Sequence, residues 1–359
     1  MTQTTRKLHD LGQSLWLDNI TRGMLDDGTL ARYVADWSVT GLTSNPTIFE
    51  QAIHHSAAYD GALGKGLAQG RTGEALFFDV ALDDITRAAD LFRPVYDRTS
   101  GVDGWVSLEV SPLLARDTKT TLAVAKELHA RAGRPNLYIK IPGTPEGLPA
   151  IEEAIFAGVP INVTLLFSCK HALASAEAYY RGVERRIAAG LNPNVASVAS
   201  LFISRWDAAV VGKVPAELNN RLGIAVGQKT YQAYCDQLAS DRVKRIENAG
   251  GRPQRLLWAS TGTKDPKASD TLYIQALAAP LTVNTMPEKT LKAWADHGAL
   301  AGSLPADGAD SAAVLSSFTK AGVDLQALAA KLQDDGAAAF VKSWNELMAV
   351  IASKSAALK

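Results

Sequence analysis

The chain is short of the residues that announce a metal, redox or nucleic-acid function. It has two cysteines, Cys169 and Cys235, far apart and outside any CxxC, which argues against a disulfide framework, a structural zinc site or a dithiol motif and leaves two reduced thiols. The histidines at 9, 54, 55, 129, 171 and 297 form neither HxH nor HExxH, so no metal centre is expected. Charge of either sign is not in excess: 37 Lys and Arg balance 37 Asp and Glu, so no global field draws nucleic acid or an anionic membrane, and an anionic partner must be met by a local site. No apolar run reaches the length of a membrane span, and "MTQTTRKLHDLGQSLWLD" lacks the apolar centre of a secretory leader, so a cytoplasmic protein is expected. Internal repeats and low-complexity tracts are also missing. So is the glycine fingerprint that an open dinucleotide-binding sheet places after its first strand, where this chain reads "SLWLDNITRGML". No cofactor is expected.

What is present is alternation. Short apolar runs bounded by Gly, Pro or Asn occur at "SLWLD", "VTGLTSNP", "GWVSLEV", "NLYIKIP", "PINVTLLF", "ASVASLFI", "QRLLWAS" and "PLTVNT". Between them lie longer stretches of helical periodicity, as at residues 71–93 and 117–132. Strand then helix, repeated, implies a parallel sheet, and eight units in about 285 residues imply a single closed (β/α)8 TIM barrel rather than an open doubly wound sheet. The glycine-rich "GALGKGLAQG" (61–70) follows a polar segment rather than a strand and reads as a loop. The barrel is assigned residues 1–303. Residues 304–359 form a C-terminal helical extension of the same domain, entered through the linker "LPADGADSAA", in which Phe340, Trp344, Leu347, Met348 and Ile351 share one helix face that packs on the barrel.

Strand side chains alternate between faces, so parity says which residues enter the lumen. In "NLYIKIP", Leu137, Ile139 and Ile141 face the helices, leaving Tyr138 and Lys140 inward. The same test puts Trp16, Asp18, Glu109, Asn162, Thr164, Ser200 and Phe202 inward, Asn45 inward just before Pro46, and Asn284 inward on the eighth strand. A lone strand lysine is commonly an edge residue or half of a structural ion pair, and each of the others has an equally plain reading. Their convergence on the C-terminal ends of several strands points instead to an active site, because each buried polar group left unsatisfied costs about 1–3 kcal/mol.

Without a metal, the amine is the group able to make an electrophile. A neutral lysine attacks a ketone to form an imine, whose protonated form withdraws electrons as a metal ion would. A solvated lysine with a pKa of about 10.4 is neutral only about 0.04% of the time at pH 7, so apolar surroundings that disfavour the ammonium are a means of activation. Dehydration to the imine and carbon–carbon cleavage both need proton transfers, which two carboxylates on different strands can divide.

These residues sit in motifs that resemble transaldolases. "LTSNPTIFE" (42–50), "VSLEVSP" (106–112), "YIKIPGT" (138–144), "INVTLLFS" (161–168), "SLFISRWD" (200–207) and "TVNTMPEKTL" (282–291) occur in the order and spacing of the longer bacterial members of that family. The resemblance implies a class I aldolase-type barrel that moves a dihydroxyacetone unit from sedoheptulose 7-phosphate to glyceraldehyde 3-phosphate in the pentose phosphate pathway, giving erythrose 4-phosphate and fructose 6-phosphate. It implies that Lys140 is the Schiff-base nucleophile, that Glu109 with Thr164 holds a proton-relaying water, and that Asp18 takes the C4 hydroxyl proton. Asn45, Asn162 and Ser200 would bond the sugar, Phe202 would line the pocket and Arg205 would hold the phosphate.

One departure stands out. Shorter members carry a second phosphate-binding arginine after the seventh strand, but here the run is "WASTGTKDPK". Ser260 matches, Gly262 stands where the arginine is expected, and Lys264 with the Thr-Gly-Thr amides is the candidate replacement. The partners expected are sugar phosphates, with no nucleic acid and no membrane, and the chain as a monomer or homodimer. Two other readings remain open: an aldolase that releases free dihydroxyacetone, and a silent barrel that only binds sugar phosphates.

Overall fold

Every apolar run forms a strand. The computed structural model describes residues 3–358 and contains β1 (Ser14–Asp18), β2 (Val39–Thr43), β3 (Val106–Glu109), β4 (Leu137–Pro142), β5 (Ile161–Leu166), β6 (Ser197–Phe202), β7 (Arg255–Ala259) and β8 (Val283–Met286). The strands close into a barrel in chain order, and every neighbouring pair, β1 with β8 included, is parallel. Helices at Gly73–Arg98 and Thr118–Ala132 stand where the periodicity places them. Among the described residues no helix is long and apolar enough to cross a membrane.

The barrel interior is packed toward the N-terminal ends of its strands. Trp16 and Tyr138 approach at 6.1 Å, and Tyr138 stacks on Trp105 at 4.1 Å. The Trp16 indole donates to Asp103 Oδ1 at 2.8 Å, which satisfies its one polar atom inside the core. Gly41 makes room for it, because a Cβ there would lie 2.8 Å from the indole ring. This floor separates the C-terminal end of the lumen from the opposite end of the barrel.

Two expectations need correction. The "GALGKGLAQG" segment is mainly helix, Asp60–Ala68, not a loop. Leu63 and Gly66 are buried with the spacing of one helix face. Gly66 lies so close to the neighbouring helix that a Cβ would meet Leu76 Cδ1 at 2.4 Å, so this glycine serves helix packing rather than a turn. On β8 the inward residue is Thr285, not Asn284. Laterally paired residues share a face, and β8 is set by β1: Thr285 pairs with the inward Trp16 and Asn284 with the outward Leu15. Asn284 instead accepts a hydrogen bond from Thr261.

The segment from 304 enters a helix at Ser311–Lys320, so only the first part of the expected linker is irregular. The helix Leu325–Ala357 follows and buries Phe340, Trp344, Leu347 and Ile351 on one face, with Met348 half-buried beside them. Trp344 meets Phe77 edge to face at 5.2 Å, and Lys354 donates to the Ser56 carbonyl at 2.8 Å and to Asp60 at 2.6 Å. This long helix therefore lies on the barrel, fastened by apolar contact along its length and by an ion pair near its end.

Candidate active site

Register alone brings the principal groups together. Glu109 is paired with Lys140 across β3 and β4, Lys140 with Asn162 across β4 and β5, and Asp18 with Thr43 across β1 and β2. Since paired residues share a face, one wall of the lumen carries a carboxylate, an amine and an amide side by side. Lys140 Nζ donates to Glu109 Oε2 at 3.1 Å and to the Ser44 carbonyl at 3.0 Å.

Above them opens a cavity of about 250 Å³ at the C-terminal ends of the strands. Its wall includes Asp18, Asn45, Lys140, Thr164, Ser200 and Phe202, with Arg205, Ser260 and Lys264 toward the rim. Nine of the eleven residues singled out from the sequence thus line one space. The other two stand behind it. Glu109 reaches it through Lys140, and Asn162 lies beneath Ser200, accepting from the Ser200 hydroxyl at 2.7 Å and donating to Ser107 at 3.1 Å. Asn162 is not among the side chains lining the cavity, and its carbonyl holds the Ser200 hydroxyl that is.

The carboxylates are tuned by burial. The Glu109 carboxyl is pushed above the usual range by loss of solvent, opposed by the neighbouring Lys140 ammonium and reinforced by the Asp18 charge. Asp18 is likewise raised by burial, opposed by Lys140, by the Thr43 hydroxyl at 2.7 Å and by Lys264. Two buried polar atoms, Glu109 Oε1 and Thr164 Oγ1, have no hydrogen-bond partner among the described residues. Buried groups of this kind are ordinarily satisfied, and both belong to this one wall.

Local structure explains how the rim is presented. Asn45 caps the helix Pro46–His54, its Oδ1 accepting from the Ile48 amide at 3.1 Å, with Pro46 in the first turn where its missing N–H costs nothing. The cap spends the side-chain carbonyl and leaves the NH2 for the cavity. Arg205 opens the helix Ser204–Val210, lies with its guanidinium 5.7 Å from the Phe202 ring centroid and makes no hydrogen bond to another described residue. Ser260, in left-handed backbone at φ 55°, bonds Ser204 at 2.9 Å. At Gly262 a Cβ would lie 3.3 Å from Pro287 Cγ, so a larger residue would crowd that wall, while Lys264 is exposed and reaches the cavity from the loop.

Sequence reading missed four contributors. Thr43 bonds both Asp18 and Thr285, each at 2.7 Å, and its place two residues before Asn45 in "TSN" was the available signal. Ser107 supports Asn162 and shares the inward parity of Glu109. Thr285 was lost to the register error. Phe340, which the helix periodicity marks as a packing residue, also lines the cavity from the long C-terminal helix, with Lys140 Nζ 6.0 Å from its ring centroid.

Comparison with known proteins shows the family of the chain. Residues 15–351 match the model of the family described as transaldolase/fructose-6-phosphate aldolase. The chain is 44% identical over 366 residues to the transaldolase of Thermobifida fusca, an alignment covering 99% of this chain and 100% of that protein. It is 44% identical to the transaldolase of Saccharopolyspora erythraea, covering 96% of this chain and 95% of that one. With the transaldolase of Thiobacillus denitrificans the identity is 42%, covering 97% and 99%.

Proposed function

The chain belongs to the transaldolase/fructose-6-phosphate aldolase family and acts as a transaldolase, and we propose that Lys140, Glu109, Thr164 and Asp18 carry its chemistry. The reaction moves a dihydroxyacetone unit between sugar phosphates, from sedoheptulose 7-phosphate to glyceraldehyde 3-phosphate, leaving erythrose 4-phosphate and forming fructose 6-phosphate. The single observation that carries the assignment of roles is the 3.1 Å Lys140–Glu109 contact at the base of a polar cavity on the strands' C-terminal ends.

In this reading the neutral Lys140 amine attacks C2 of the ketose, and the carbinolamine loses water to give an iminium ion. Glu109, whose raised pKa suits it to carry a proton, passes that proton through a water held with Thr164, because the two unpartnered atoms Glu109 Oε1 and Thr164 Oγ1 supply its bonds. Asp18 then takes the proton of the C4 hydroxyl. The C3–C4 bond breaks, its electron pair passes into the iminium as an enamine, and the aldose leaves. The enamine attacks the carbonyl of the incoming aldose, Asp18 returns the proton to the new hydroxyl, and hydrolysis of the iminium frees Lys140.

The remaining groups bind. Ser200, fixed by Asn162, and the Asn45 NH2 address the sugar hydroxyls, while Phe202 covers the carbon chain. Arg205, with Ser260 and the loop lysine Lys264, receives the phosphate. We take the barrel of residues 1–303 and the helices of 304–359 as one catalytic domain, since Phe340 reaches the cavity.

Incubation with fructose 6-phosphate and borohydride tests the assignment: a reduced three-carbon adduct is expected on the peptide containing Lys140, and its absence from folded protein would overturn the mechanism. Supplying erythrose 4-phosphate before the reductant should pass the held three-carbon unit on as sedoheptulose 7-phosphate and so diminish the adduct. Release of free dihydroxyacetone at the same rate without it would instead identify the aldolase reaction.

A further inference from the structure

Gln333 lies on the long C-terminal helix, 9% exposed, and its side-chain amide donates two hydrogen bonds into the barrel: to the Gly143 carbonyl at 3.2 Å and to the Leu165 carbonyl at 2.9 Å. Neither acceptor is an ordinary piece of backbone. Gly143 directly follows β4, three residues beyond Lys140. Leu165 follows Thr164 and stands at φ 58°, in left-handed backbone that a β-strand leucine rarely adopts, where the β5–β6 register shifts between Val163 and Leu166. The two ends are tied to each other as well, since the Gly143 amide donates to the Thr164 carbonyl at 2.8 Å.

The helix is shaped to reach them. One turn beyond Gln333, Gly336 faces Leu165, and a Cβ there would lie 3.0 Å from Leu165 Cδ2, so the glycine lets the helix pack closely on the bulge. A bulge beside a functional residue re-aims the side chains around it, and a conformation of this kind persists only where its surroundings hold it. Here the hold on the freed carbonyl is one amide.

We propose that Gln333 is a positioning residue for the proton relay: by clamping the ends of β4 and β5 it holds the bulge that presents the Thr164 hydroxyl to the wall shared by Glu109 and Lys140. It touches no reacting atom in this scheme. The inference rests on the relay role assigned to Thr164 and adds to it the part of the chain that fixes the relay's geometry.

The test combines Gln333→Ala, Gln333→Glu and Thr164→Val, each followed by timed borohydride trapping with fructose 6-phosphate and by pH–rate profiles. Gln333→Ala should slow imine formation at least tenfold while changing KM less than about threefold, because it disturbs the relay and leaves the binding groups in place. Gln333→Glu keeps the shape, and only its protonated carboxyl can donate to a carbonyl. Its imine formation should be partly restored at low pH and lost as pH rises, adding a descending limb that neither the wild type nor Gln333→Ala shows. If both Gln333 variants lower the melting temperature but leave imine formation in the folded protein unchanged and without the new limb, Gln333 is only a staple and the inference fails. Thr164→Val separates the two levels: if it forms the imine at the wild-type rate, the relay reading itself is wrong. If it is slow while the Gln333 variants are fast, only the positioning role is overturned.

Discussion

Glu109 and Lys140 face each other across the β3–β4 seam, 4% and 5% exposed, with carboxylate and amine 3.1 Å apart. Removing one partner of a buried pair typically costs about 3–5 kcal/mol, unless the survivor can shed its charge. Glu109 can, because burial already raises its pKa and Lys140 is the main influence opposing that rise. A carboxyl with a folded pKa above its unfolded value is neutral in both states at low pH and penalises the fold only once ionised. Lys140→Met should therefore be closest to wild type in stability below about pH 4 and fall behind as pH rises through the folded Glu109 pKa. Thermal unfolding of Lys140→Met and of Glu109→Gln/Lys140→Met across pH reads this, and a gap from wild type that does not change with pH would remove Glu109 as its source.

Asp18→Asn should still give the borohydride adduct on Lys140 but cleave the sugar about 10²–10⁴ times more slowly, the range lost with a general base. The base works ionised, and Asp18 is held above the ordinary carboxylate range by burial. The wild-type cleavage rate should accordingly fall with acid at a pH above about 4, and that limb should vanish in Asp18→Asn. Single-turnover cleavage across pH is the measurement; a wild-type rate in the variant would assign the base elsewhere.

Arg205→Gln should raise KM for phosphorylated substrates roughly 10- to 100-fold, the worth of about 1.5–3 kcal/mol in charged hydrogen bonds, with little effect on an unphosphorylated ketose. Lys264 is exposed, so Lys264→Ala should cost less, about threefold. Equal losses on phosphorylated and unphosphorylated donors would show that these residues do not read the phosphate.

Asp84 offers a purely structural contrast. It is 0% exposed and accepts from Arg22 Nε at 2.8 Å, on the outer side of the barrel. Asp84→Ala should destabilise the fold by about 3 kcal/mol, the low end for a broken buried pair, because Arg22 retains Asp83 at 2.8 Å. Urea unfolding should show the loss while kcat of the folded protein stays within about twofold. A drop in kcat without a shift in midpoint would contradict the structural role.

Alternation made most of the site legible because β4 and β3 set apolar residues strictly to one side: Leu137, Ile139 and Ile141 left Lys140 a single direction, and Leu108 did the same for Glu109. It failed on β8, where the four residues "VNTM" carry a polar group at either parity and only the pairing with Trp16 decides. Glycine content hid the helix Asp60–Ala68, since Gly66 is there for close packing on Leu76 rather than for chain reversal. Phe340 and Gln333 were legible only as helix residues. Gln333 meets Gly143 across 190 positions of sequence, and no local pattern encodes that contact.

The closure of the barrel sets an order on synthesis. Strand β1 leaves the ribosome before every other strand of the barrel, yet one of its edges pairs with β8, and the side chain of Phe340 that overlies Lys140 is made later still. Until Met286 has emerged, the nascent chain carries a strand with an open row of amides and carbonyls, the kind of edge that templates intermolecular pairing. Chemistry on Lys140 in its finished setting is thus confined to chains already extended past Phe340, and until then the growing polypeptide needs protection at the strand that contributes Asp18.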